Sequence, residues 1–173
     1  MTSNPEISKS SRHSKITGDF AERLVLYWLS KYGFECAYVD HVGLDLIARN
    51  PHTRELMGIS VKSRSRIAQR ERAHVLFPTD NLDKLDGACT AFGCKPYFAI
   101  VVDAGQTITT FILSKAHLLE LSPPGKAGTS WSMSEASLER YASDSDVRMF
   151  RFTTETVNWW GKPTEKLMTS GAA

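Results

Sequence analysis

The chain has 173 residues, 42% of them hydrophobic and 23% charged, with a net charge of +2 at pH 7. That balance suits one globular domain with a sizeable core and excludes a globally polybasic chain. No apolar run approaches the roughly 20 residues that span a bilayer, so no membrane partner is expected. The polar start MTSNPEISKSSRHSKITG lacks the apolar segment of a signal peptide, and cytoplasmic placement is the expectation. Cys36, Cys89 and Cys94 match no zinc spacing and read as ordinary buried or half-buried thiols.

Residues 1–16, rich in Ser and Lys, read as a flexible arm. Thr17 is then placed to cap a helix with Asp19 in its first turn. Phe20, Ala21, Leu24, Val25, Trp28 and Leu29 recur with helical period, and Gly33 ends the run. Residues 34–39, 44–48 and 55–62 read as strands joined by short turns, an antiparallel meander. The turn Asn50–Arg54 pairs an Asx former with Pro51. Asp80 is placed to cap a second helix, which Gly93 ends. The continuous apolar run 96–103 predicts a strand buried on both faces, hairpin-paired with the β-branched run 107–113. Ser114 and Ser134 are placed to cap two short helices, residues 122–130 read as a loop, and 147–153 as a last strand. The fold class is α/β (α+β), a mixed central sheet flanked by helices. It forms a single domain over residues 17–160, followed by a disordered tail over 161–173.

The informative stretch is GLDLIARNPHTRELMGISVKSRSR, residues 43–66. Ser60 and Lys62 are two apart on a strand and so share a face. A turn centred near His52 brings Asp45 opposite Ile59 and Ser60. A phosphodiester hydrolase needs hard oxygen ligands for Mg²⁺ (or Mn²⁺), and a cation to offset charge on the phosphorane. Asp45 and the Val61 backbone carbonyl can ligate, and Lys62 can supply the charge. The cations that follow, Arg64, Arg66, Arg70 and Arg72, stand against the single acid Glu71 and form a candidate phosphate-binding rim, with Lys15 helping from the N-terminal arm. The histidines form no metal spacing; His41 is the one near the hairpin.

The motifs GDFAE (Gly18–Glu22), GLDLIA, ISVK and the segment KLDGACTAFGCKPYFAIV together resemble the PD-(D/E)xK nuclease superfamily. Within it, archaeal Holliday-junction resolvases and related small restriction-like endonucleases are the most similar. The likeness runs from about Lys15 to Phe111. It implies an α-β-β-β-α-β core and a metal-dependent endonuclease acting on DNA, with structured or branched DNA as substrate and a possible homodimer. It makes Asp45 the central metal-ligating aspartate, Lys62 the motif lysine, and Glu22 the helix glutamate that completes the acidic site. The family usually carries Glu or Asp where this chain has Ser60, a poor neutral ligand. The alternative reading is therefore a degenerate, non-cutting nucleic-acid-binding module on the same fold. A third reading is a protein-interaction domain using Trp131, Met133, Trp159 and Trp160.

Overall fold

A computed structural model of the chain describes residues 10–66, 74–104 and 106–155. Residues 1–9, the run 67–73 with Arg70 and Arg72, and residues 156–173 with Trp159, Trp160 and the predicted tail lie outside the described residues.

Helix α1 (His13–Lys31) buries Ala21, Val25 and Leu29, one residue every four, against the sheet. It starts four residues before the expected cap. Thr17 lies inside the helix, its hydroxyl donating to the His13 carbonyl at 2.7 Å, so the described part of the predicted arm, from His13 on, is helical. Gly33 ends α1 as expected, at φ +83°: Phe34 N–H donates to Leu29 O and Gly33 N–H to Ser30 O, the paired bonds of a Schellman motif.

The predicted meander follows as β1 (Glu35–His41), β2 (Leu44–Arg49) and β3 (Leu56–Arg66). Asn50 Oδ1 accepts from the His52 and Thr53 amides and closes the expected Asx turn. A strand absent from the sequence reading, β4 (His74–Pro78), leads into α2 (Thr79–Phe92). Asp80 lies in the first turn of α2 rather than capping it. Gly93 repeats the Schellman stop: Cys94 N–H donates to Cys89 O and Gly93 N–H to Thr90 O. Strands β5 (Lys95–Ala104) and β6 (Thr107–Ser114) form the expected hairpin. Ser114 caps α3 (Lys115–Leu121) and Ser134 caps α4 (Glu135–Ser143), as expected. Between them β7 (Gly128–Ser132) takes in the last three residues of the expected loop and pairs with β4 in a two-stranded sheet. Strand β8 (Arg148–Thr153) closes the order.

The main sheet runs β1-β2-β3-β5-β6-β8, antiparallel except for the parallel β3–β5 pair at its centre. One face packs on α1 through Leu46, Ala48, Met57, Ile59, Val61, Ala99, Val101 and Ile112. The other packs on α2, α4 and the small sheet through Phe98, Ile100, Phe111 and Leu113. Trp131 stacks on Tyr141 at 3.6 Å and is fully buried, and Met133 is buried too. Neither offers the exposed apolar surface of the interaction-domain reading. Among the described residues no helix is long and apolar enough to cross a membrane.

Candidate active site

The site is a notch. The β2–β3 ladder ends at Leu46↔Ile59, whereas β3 stays paired with β5 as far as Arg66↔Ala104. Strand β3 therefore outruns β2 and leaves backbone groups on its β2 side without a ladder partner. Asp45 fills the first of these positions: its Oδ2 accepts the Val61 N–H at 2.6 Å. The N–H and C=O of one strand residue point to the same side, so the Val61 carbonyl faces the same notch.

Why Asp45 is free to do this lies in the local backbone. Leu44 packs in the α2-side core and Leu46 in the α1-side core, although residues two apart in a regular strand share a face. The strand turns over at Asp45. Gly43, at φ +84°, makes the turn before it. A Cβ there would lie 2.6 Å from the Lys84 carbonyl carbon, so α2 approaches Gly43 too closely for any side chain.

Glu22 reaches the region from α1. It accepts a hydrogen bond from the Tyr38 hydroxyl and feels the charge of Asp45. Its pKa is raised, first by burial, which outweighs the Tyr38 bond, and then by Asp45, Asp19 and Asp40. Three acids thus add to the cost that burial places on a charged Glu22. The Glu22 and Asp45 oxygens, with the Val61 carbonyl, are the hard donors that Mg²⁺ or Mn²⁺ prefers, and the donor set fits such an ion with one carboxylate fewer than a Glu or Asp at position 60 would provide.

Ser60 and Lys62 share a face, on the α2 side: Gly58, two residues earlier, lies against Cys89 and Cys94, and the parallel partners Phe98 and Ile100 belong to that core. Ser60 is 3% exposed. Extending the ladder by one pair sets it opposite Asp45. Lys62 is half-buried. Arg64 is exposed on the free end of β3, where Arg66 ends the strand; Lys15 is exposed on the first turn of α1. His41 is exposed, its ring on Phe92 and its Nδ1 3.1 Å from the Val42 carbonyl.

Two residues near Glu22 escaped the sequence reading. Tyr38 stands on β1 with its phenol on Glu22, and the Arg23 guanidinium sits 4.4 Å over its ring. Alternation along β1 gave the strand but not its register under α1. A second polar cluster was missed as well. His117 on α3 bonds Glu120 at 3.0 Å and Asp144 at 2.8 Å, with Asp146 beside it. It borders a groove of about 860 Å³ lined by Trp28, Tyr97 and Phe150, near the ends of β3 and β5 away from Asp45. Asp144 and Asp146 lie 27 and 29 positions after His117, outside any sequence motif for metal binding.

No protein-family model matches the sequence, and no curated protein does. Among solved structures the chain is similar to a Holliday junction resolvase, Hjc, of the archaeal hyperthermophile Archaeoglobus fulgidus. The identity is 18% and the TM-score 0.52 over 71% of this chain and 88% of the resolvase. A restriction endonuclease in complex with substrate DNA also aligns, at 9% identity and TM-score 0.41 over 89% of this chain and 77% of that one. The resolvase match shows the fold: the expected α/β, restriction-endonuclease-like architecture is borne out.

Proposed function

We propose that the chain is a divalent-metal-dependent endonuclease that hydrolyses phosphodiester bonds in DNA. The observation that carries this reading is the Asp45 carboxylate on the Val61 N–H, at the notch where β3 outruns β2, with Glu22 crowding it from α1. A group of acidic oxygen donors in a notch at the end of a strand is unfavourable unless a cation completes it. Asp45, Glu22 and the Val61 carbonyl would hold Mg²⁺ or Mn²⁺. Such an ion lowers the pKa of bound water and stabilises charge on the leaving oxygen. Lys62 offsets the charge that grows on the phosphorane. Arg64, Arg66, Arg70, Arg72 and Lys15 hold the DNA backbone and read no sequence. Branched DNA as the substrate, and a homodimer that brings two such sites to two strands, belong to the same reading.

One observation favours a second reading. Ser60 is neutral and buried where a second carboxylate would stand, which suits a module on this fold that binds DNA and leaves it intact. Two assays separate the readings. Supercoiled plasmid and a synthetic four-way junction are incubated with Mg²⁺ or Mn²⁺, and salt-dependent binding of the same junction is measured in EDTA. Nicking supports the endonuclease. Binding without nicking supports the second reading, and absence of both at low salt contradicts each.

A further inference from the structure

We infer that Cys89 and Cys94 form a thiol modification site, which a low-molecular-weight disulfide converts to an internal disulfide bridge. The site stands apart from Asp45 and does not depend on the endonuclease reading. The geometry comes from the end of α2. Gly93, at φ +64°, stops the helix, and the Cys94 N–H donates to the Cys89 carbonyl at 2.9 Å. With standard backbone lengths, that bond keeps the two Cα atoms inside the roughly 6.8 Å that a disulfide tolerates. The side chains converge as well. A Cβ on Gly58 would lie 2.5 Å from the Cys94 Sγ and 2.6 Å from the Cys89 Sγ, so both sulfurs flank one point on β3. Glycine at position 58 leaves them that space. The Cys94 Sγ also lies 3.7 Å from the Cys89 carbonyl oxygen, so its thiol leans back over the turn towards Cys89.

The two thiols divide the chemistry. Cys89 is buried and Cys94 half-buried. Burial, above all, pushes the Cys89 thiol up to about 12, which keeps it protonated near neutral pH. Cys94 is therefore the sulfur that a small disulfide such as oxidised glutathione meets first. Its thiolate, with its proton given to solvent, attacks one sulfur of the reagent. The reagent S–S bond breaks, a mixed disulfide forms on Cys94, and one small thiolate leaves. The Cys89 proton passes to that thiolate through solvent, and the Cys89 sulfur attacks the Cys94 Sγ. The mixed S–S bond breaks, and the second small thiolate takes up the proton that Cys94 gave away. Two cysteine thiols are oxidised, and one reagent disulfide is reduced to two thiols. The bridge staples the last turn of α2 to the start of β5, beside the Gly58↔Pro96 pair of the central ladder. Cys36 packs on the α1 face of the sheet and Cys89 on the other, so Cys36 is an internal control.

The test exposes the folded wild-type chain to excess oxidised glutathione, then alkylates the remaining thiols in denaturant and maps the peptides by mass. Free thiols are expected to fall from three to one, the survivor being Cys36. The map should show a Cys89–Cys94 bridge that dithiothreitol reverses. Cys89→Ser should halt with glutathione attached to Cys94, and Cys94→Ser should leave Cys89 unmodified. Three free thiols in the exposed wild type would overturn the inference. So would a bridge that includes Cys36, bridges formed only between chains, or a wild-type chain that keeps glutathione on Cys94. Glutathione on Cys89 in Cys94→Ser would overturn the division of roles.

Discussion

At Asp45 one carboxylate oxygen accepts the Val61 N–H, which leaves the other free for a ligand. Asparagine keeps the accepting oxygen and removes the charge. Asp45→Asn should therefore melt within about 1 kcal/mol of wild type and lose Mn²⁺ binding in calorimetry. A large loss of stability would mean that the carboxylate serves the fold. Ser60 gives the complementary test. A glutamate there is a buried charge beside Asp45 and should destabilise the chain by about 3–5 kcal/mol in EDTA. Mn²⁺ should restore the loss by binding the folded state. Destabilisation that persists at saturating Mn²⁺ would remove position 60 from the metal's surroundings. Asp45, Ser60 and Lys62 were legible in the sequence because strand alternation and a short turn fix their relation. Tyr38 and Arg23 were not, because their link to Glu22 depends on how α1 lies over β1, which no local pattern encodes.

Elements carry the next constraints. Gly43 combines φ +84° with backbone of α2 where a Cβ would stand. Gly43→Ala should cost several kcal/mol, from the strained backbone and the forced shift of α2 together; denaturant titration would measure it, and a change below about 0.5 kcal/mol would contradict the packing described. The joint between α3 and the turn before β8 is electrostatic. Burial disfavours the charged His117, but hydrogen bonds to Glu120 and Asp144 outweigh it and raise its pKa, while the Asp146 amide and His117 lower that of Asp144. A raised histidine pKa stabilises fully below the unfolded value of about 6.5 and is lost as pH rises through the folded value. A lowered aspartate pKa stabilises above about 3.9 and is lost below. The wild-type melting temperature should thus fall on going from about pH 6 to about pH 8, and fall less in His117→Asn. Equal slopes would contradict the ion pair. The caps at Ser114 and Ser134 and the glycine stops at Gly33 and Gly93 were legible, because each is a local hydrogen-bonding rule. The early start of α1 was not: a threonine can serve as a cap or bond back to the preceding turn, and Thr17 does the latter.

Across the whole molecule, the antiparallel meander, the buried β5 and the β5–β6 hairpin were readable from periodicity, and they place the notch at the centre of the sheet. The small β4–β7 sheet was not. Its two strands lie about 50 residues apart and one sits in a stretch of Gly, Ser and Pro, so pairing across the chain overrides composition. That sheet buries Trp131, and Lys62 and Arg64 stand on the part of β3 that runs past β2. We propose that the chain cuts DNA at this notch with a metal that Asp45 and Glu22 would hold. The most direct measurement is cleavage of a four-way junction and of supercoiled plasmid by wild type, Asp45→Asn and Lys62→Ala at equal DNA occupancy in Mg²⁺ or Mn²⁺. Nicking by wild type that falls at least about a hundredfold in each variant is the predicted result; cleavage by Asp45→Asn at the wild-type rate, or no cleavage by wild type despite full occupancy, would contradict it.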